Sequence, residues 1–141
     1  KVKDMFDTLA QSGKIVPSYC AGVGKAILAI MTKALQNRSL DQQSYQAYTP
    51  ATLSDHTTLV TELAGIRKNG VAYYREEHEQ GIISIALIIL TRKGRVVGAV
   101  SIATLTNRHK ISDKKKHKLY LLKCANLIGT KSELWQVPIW N

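Results

Sequence analysis

The stretch GIISIALIILTRKGRVVGAVSIAT, residues 81–104, decides the fold. Residues 82–90 are rich in β-branched side chains and apolar at nearly every position, the composition of a strand buried on both faces. Thr91, Arg92, Lys93, Gly94 and Arg95 supply turn chemistry, and residues 96–104 return as a second β-rich run. The pair is expected as an antiparallel hairpin at the centre of a sheet. Ser84 and Ser101 interrupt the two apolar runs, and a hydroxyl in such a strand must find a hydrogen-bond partner or line a cavity.

Working outward, residues 71–74 read as a further strand, joined to the hairpin by the charged turn Arg75-Glu76-Glu77-His78-Glu79-Gln80-Gly81. Before it, Ser54 or Asp55 caps a helix with the apolar stripe Leu59, Leu63 and Ile66, which stops at Asn69-Gly70. Val23, Ile27, Ile30, Met31, Ala34 and Leu35 share one helical face, so a helix is expected from Val23 to about Leu35. Residues 36–55 are polar and contain Pro50; they are expected as a surface connection holding a short helix around residues 40–45. Met5, Phe6 and Leu9, the turn at 11–14 and Ile15-Val16-Pro17 read as strand, turn, strand. After Arg108, Ser112 or Asp113 is expected to cap a final helix with Leu119, Leu122, Ala125 and Ile128 inward and its lysines outward. No element is assigned to residues 133–141. The pattern is α+β: an antiparallel sheet with helices packed on it.

A chain of 141 residues is the size of one domain with a real core. Its formal charge of +10 calls for anionic partners to be considered, nucleic acid among them. Two cysteines, Cys20 and Cys124, do not make a disulfide framework and fit a reducing, cytoplasmic setting. No run reaches the roughly 18–20 apolar residues of a membrane helix, so no membrane partner is expected. The chain opens on Lys1 without a signal-peptide pattern, and it is expected to be a fragment of a longer polypeptide.

The stretch YCAGVGKAIL, residues 19–28, carries the candidate chemistry. A phosphate-binding loop needs glycine, four residues, then Gly-Lys-Ser/Thr; Tyr19 stands five residues before Gly24, and Ala26 stands where the hydroxyl is required, so that loop is excluded. Two possibilities remain. The helix start can hold an anion through its free N–H groups, with Gly22 allowing close approach, or the glycines are a tight turn entering a core helix. Cys20 precedes that helix, where a thiol can be activated, but His56, His78, His109 and His117 show no local pairing with it as a base. Glu76, Glu77, His78 and Glu79 have no second cluster at a metal-ligand spacing, so neither metal nor cofactor is called for. Residues 108–123 carry seven basic residues against Asp113, a net +6. A nucleic-acid module acting through this window is the alternative, against a solvated helix face.

In order and spacing the segments CAGVGKAILA (20–29), Thr49, TLVTELAGIRKNGVAYYREEHEQGIISIALII (58–89) and GRVVGAVSIA (94–103) resemble the effector-binding domain of IclR-family bacterial transcriptional regulators. The resemblance implies a GAF-like, profilin-like fold that senses a small organic acid and enzymatically does nothing. It also implies assembly as a dimer or tetramer, and operator binding through an N-terminal winged helix-turn-helix that this chain lacks, along with the opening of the effector domain itself. Carried over by position, the backbone N–H groups of Gly22 and Val23 hold a carboxylate, Ser84 and Ser101 line the pocket, and Met5 is an apolar wall. Tyr74 stands where an aspartate is common, Ala103 where a second serine is usual, and Ser84 where cysteine is common. Losing that charge and that hydroxyl points away from small polar 2-oxo acids and toward a larger, less polar acid such as an aromatic one. Effector binding is expected to shift populations and thereby change operator affinity.

Overall fold

The computed structural model describes residues 13–134. A single turn of 3-10 helix at Ser18–Cys20 leads into α1 (Gly22–Ile30), α2 (Lys33–Asp41) and α3 (His56–Asn69). Strands β1 (Val71–Arg75), β2 (Ile82–Leu90) and β3 (Val96–Leu105) follow, and α4 (Ile111–Ser132) closes the order. The three strands are antiparallel in the order β1-β2-β3. The α+β, GAF-like architecture expected from the sequence is present.

β2 is the central strand and feeds two cores, as its two-sided apolar run requires. Ala86 and Ile88 face α1, where Tyr19, Ala26, Leu28, Ala29, Leu59 and Leu63 join them. Ile85, Leu87 and Ile89 face the other way, onto Leu121 and Ala125 of α4. The sheet is thus sandwiched between α1, backed by α3, and α4. The hairpin is not wholly central, however: among the described residues β3 is an edge strand, with Val96, Val97 and Ile102 exposed.

Other expectations need correction. The helix from Val23 to Leu35 is two helices. Met31 and Thr32 both adopt extended backbone with ψ near 150°, and the Thr32 hydroxyl then caps α2 by accepting from Leu35 N–H at 3.5 Å. Each segment is helical by itself, and apolar spacing alone does not register a two-residue break between two helices. The Gln36 amide donates to Leu28 O at 2.8 Å, satisfying a carbonyl at the end of α1, so Gln36 is buried helix and not surface connection. No helix forms at residues 40–45 beyond Asp41; Tyr45 has φ +50°, a left-handed conformation that a helix does not continue through.

Among the described side chains of α4 the buried positions are Leu121, Ala125 and Gly129, whereas Leu119, Leu122 and Ile128 are exposed. Residues spaced by three drift by about 60° per step around a 3.6-residue helix, so 119, 122, 125 and 128 cannot share one face. Spacing by four stays closer to one. The N-cap of α4 is Lys110, and Asp113 serves from the first turn by accepting Lys110 N–H at 2.9 Å. The α3 expectations hold: Asp55 accepts from Thr58 N–H at 2.8 Å, and Gly70 ends the helix at φ +69°. The strand expected around Met5, Phe6 and Leu9, and the segment beyond Leu134, lie outside the described residues.

Candidate functional site

Register builds the site. Tyr74 of β1 pairs with Ser84 of β2, which pairs with Ala103 of β3, so the three form one rung across the face that α1 covers. Ser101 lies on the next rung of the same face, opposite Ala86. Above this rung α1 begins. A cleft of about 150 Å³ between them is lined by Val16, Cys20, Ala21, Tyr74, Ile82, Ser84 and Ala103, with Lys14, His78 and Glu79 at its polar side.

Gly22 is buried at the first position of α1, and its contacts show how closely the helix start lies on the sheet. A Cβ there would stand 2.8 Å from Ser84 Oγ and 3.4 Å from Tyr74 Cβ. The glycine brings the helix start onto the serine-bearing strand. The N-cap is Ala21, in extended backbone, and no side chain caps the helix. Alanine is a poor N-cap, and the first N–H groups of a helix have no partners inside it. The helix end therefore presents donors and partial positive charge beside the cleft.

Tyr74 is turned to structural use. Its hydroxyl accepts from His78 N–H at 3.1 Å and Glu79 N–H at 2.8 Å, and donates to Glu79 O at 3.2 Å. The phenol is occupied by the 75–81 turn, and burial raises its pKa. Thr49 Oγ1 donates to Glu76 O at 2.6 Å, Thr52 Oγ1 donates to Glu77 O, and Glu76 Oε1 accepts Gly81 N–H at 2.7 Å. This turn is consequently a held wall that presents His78, its ring tilted by 40° against Tyr48 with 4.5 Å between centroids, and Glu79, 3.5 Å from Lys14 Nζ.

Of the residues expected at the site, Tyr74, Ser84 and Ala103 line the cleft, and Gly22 packs directly on Ser84. Val23 is half-buried against the α1 core. Ser101 is exposed and does not line the cleft, and Met5 lies outside the described residues. Sequence reasoning missed Ala21, Val16, Ile82 and the Lys14–Glu79 pair; only a non-polar N-cap before a helix hinted at the first. Lys25, which made the stretch resemble a phosphate loop, is fully buried and faces Glu77 instead.

Cys20 lines the cleft, but burial and the nearby Glu77 charge push its thiol up to about 11, and it donates to Pro17 O at 3.4 Å. That is a protonated thiol, not a nucleophile. Among the described side chains of the basic window, the exposed Lys116 and Lys123 are interspersed with the exposed Leu119, Tyr120 and Leu122. Among the described residues no helix is long and apolar enough to cross a membrane.

The family model described as "Bacterial transcriptional regulator IclR C-terminal" matches residues 1–130. The chain is 34% identical over 110 residues to the HTH-type transcriptional regulator XynR of Escherichia coli, covering 77% of this chain and 44% of that protein. It is 28% identical over 96 residues to the p-hydroxybenzoate hydroxylase transcriptional activator of Acinetobacter baylyi, covering 68% of this chain and 35% of that protein. The chain thus spans under half the length of these curated relatives. Among solved structures, a double mutant of the PobR inducer-binding domain from Acinetobacter, in complex with 3-hydroxybenzoic acid, superposes with a TM-score of 0.79 at 26% identity. That match covers 84% of this chain and 70% of the other. With a sheet, helix order and domain model all in agreement, the chain belongs to the IclR family of bacterial transcriptional regulators, a regulatory and not an enzymatic family, and is a C-terminal domain of that family.

Proposed function

We propose that this chain is the ligand-sensing domain of a longer, cytoplasmic, oligomeric regulator and that its effector is a small carboxylic acid with a flat apolar body. The acid group is held by the N–H donors of Gly22 and Val23 at the start of α1, within reach of the Ser84 hydroxyl. The body lies against Val16, Ile82, Ala103 and the ring of Tyr74. Occupancy favours one arrangement of the domain or its dimer, and so changes the operator affinity of DNA-binding heads attached before Lys1.

The observation that carries this is the alanine-capped helix end opening on a cleft. A capping side chain at Ala21 would stabilise α1 by about 0.5–2 kcal/mol, and its place is left to a ligand. A volume of about 150 Å³ holds roughly five waters' worth of ligand, which suits a single-ring acid and not a drug-sized molecule. The acid bound by the PobR domain is of that size and type. Calorimetric titration of the chain with pyruvate, glyoxylate, benzoate and 3-hydroxybenzoate tests the proposal: the aromatic acids bind and the 2-oxo acids do not. Binding by none of the four refutes it. Operator affinity of the full-length regulator that is equal with and without a bound acid refutes the signalling half.

A further inference from the structure

Lys25 and Glu77 are both withdrawn from water, Lys25 fully and Glu77 to 2% exposure. Lys25 Nζ donates to Glu77 Oε1 at 2.6 Å, to Tyr73 O at 2.8 Å and to Glu62 Oε1 at 3.2 Å. Glu77 Oε1 also accepts Arg75 N–H at 3.2 Å, whereas Glu77 Oε2 has no hydrogen-bond partner. Taking two charges out of water costs more than their attraction returns unless the remaining lone pairs are satisfied, and here one oxygen is not. Stability of the fold alone gives no reason to place such a pair here.

The location of the pair supplies one. Lys25 stands one turn beyond the uncapped start of α1, and Glu77 immediately precedes His78 and Glu79, which line the cleft from the other side. We propose that Lys25 and Glu77 are positioning residues of the effector site: their bond ties the helix end that receives the acid to the turn that forms the far wall, and so sets the width of the cleft. This rests on the cleft being the effector site. The charged and titratable groups around Glu77 are Lys25 of α1, Glu62 of α3, Arg75 and Tyr74 of β1, and Cys20 of the 3-10 turn. Arg75 Nη1 is directed to Glu62 at 3.6 Å, so Lys25 is the cation that holds the Glu77 carboxylate.

The test compares the parent with Lys25→Met/Glu77→Leu, Glu77→Gln and Ala21→Asp. The measurements are calorimetric titration with benzoate and 3-hydroxybenzoate, thermal unfolding, and the rate of thiol labelling of Cys20. The doubly apolar chain is expected to unfold at or above the parent's temperature, yet to bind the acids at least about tenfold more weakly, because a displaced wall loses its geometry. Both variants lose the Glu77 charge that raises the Cys20 thiol, and the doubly apolar chain also loses the Lys25 charge that lowers it; Cys20 is expected to be labelled faster in the doubly apolar chain than in Glu77→Gln, the reverse of the order that charge alone gives. A purely structural pair would move stability and affinity together. If the doubly apolar chain does not fold, Glu77→Gln carries the test through the same affinity readout. Unchanged affinity in a folded variant, with binding abolished by Ala21→Asp, overturns the positioning role and leaves the effector site standing. Tight binding by Ala21→Asp, or no binding by the parent, overturns both.

Discussion

Replacing Ala21 by aspartate separates the two things a helix end can do. Ala21 is the N-cap of α1, already in the extended conformation that a capping residue adopts, and it lines the cleft, so a longer side chain has room. An aspartate there accepts from the free N–H groups of the first turn and places a negative charge at the positive end of the helix. The cap contributes about 0.5–2 kcal/mol and the charge about 0.3–1 kcal/mol. Taking roughly 1 kcal/mol for a domain of this size, Tm rises by about 3 °C. The same carboxylate removes the effector's donors, each worth about 1.5–3 kcal/mol to a charged group. It also repels the incoming anion by roughly 1–4 kcal/mol at 4 Å. A loss of about 3 kcal/mol or more is over about a hundredfold in Kd. Differential scanning fluorimetry and calorimetric titration with 3-hydroxybenzoate read the two effects, which have opposite signs. A chain that is stabilised yet still binds the acid at the parent's affinity refutes the placement of the carboxylate at α1.

Other variants probe the scaffold. Lys25→Met alone leaves Glu77 buried without its counter-charge and is expected to cost about 3–5 kcal/mol, which adding Glu77→Leu recovers; urea unfolding that shows no such recovery contradicts the assignment. The Glu77 pKa is raised above its ordinary 4.5, chiefly by burial, so its protonation contributes stability that is present below pH 4.5 and lost as pH rises through the folded value. Asp55 and Asp113 are held below 3.8 by hydrogen bonds they accept at helix starts, and their contribution is instead lost as pH falls through the lowered values, below about pH 4. The parent's stability should therefore gain on mild acidification toward pH 4.5 by an amount that Glu77→Gln lacks, measured by denaturant midpoints across that window. Gly129→Ala drives a Cβ to 1.9 Å from Leu90 O and is expected to destabilise by about 1–3 kcal/mol or more. Gly65→Ala, with open space in mid-helix, is expected to stabilise by about 0.4–1 kcal/mol, and thermal unfolding of the two should move in opposite directions. At pH 7.5 the exposed Cys124 reacts with a thiol reagent well before Cys20; rapid labelling of Cys20 in the parent would contradict its burial.

Local signals were enough wherever one segment carries its own instruction. The two-sided apolar run of β2, the Asp55 cap and Gly70 stop of α3, and the exclusion of a phosphate loop by spacing all depend on residues a few positions apart. Of the candidate site, Gly22, Tyr74, Ser84 and Ala103 could be named from the chain because strand register and the resemblance both act through order and spacing. Three features could not. The break at Met31-Thr32 needed the Gln36 amide, eight residues on, to receive Leu28 O. Which face of α4 is inward depended on the close approach of Gly129 to Leu90, since the helix has apolar residues on more than one side. The fate of Lys25 depended on Glu77, 52 residues away. A buried charge is assigned by whichever partner the folded chain brings to it, and neither periodicity nor composition specifies that partner. The sequence by itself therefore determined strands β1 to β3 and the glycine-led helix start, because each is written in residues a few positions apart. Only the tertiary structure decided that the lysine beside those glycines is buried against Glu77, and that the start of α1 carries no side-chain cap where it meets the cleft.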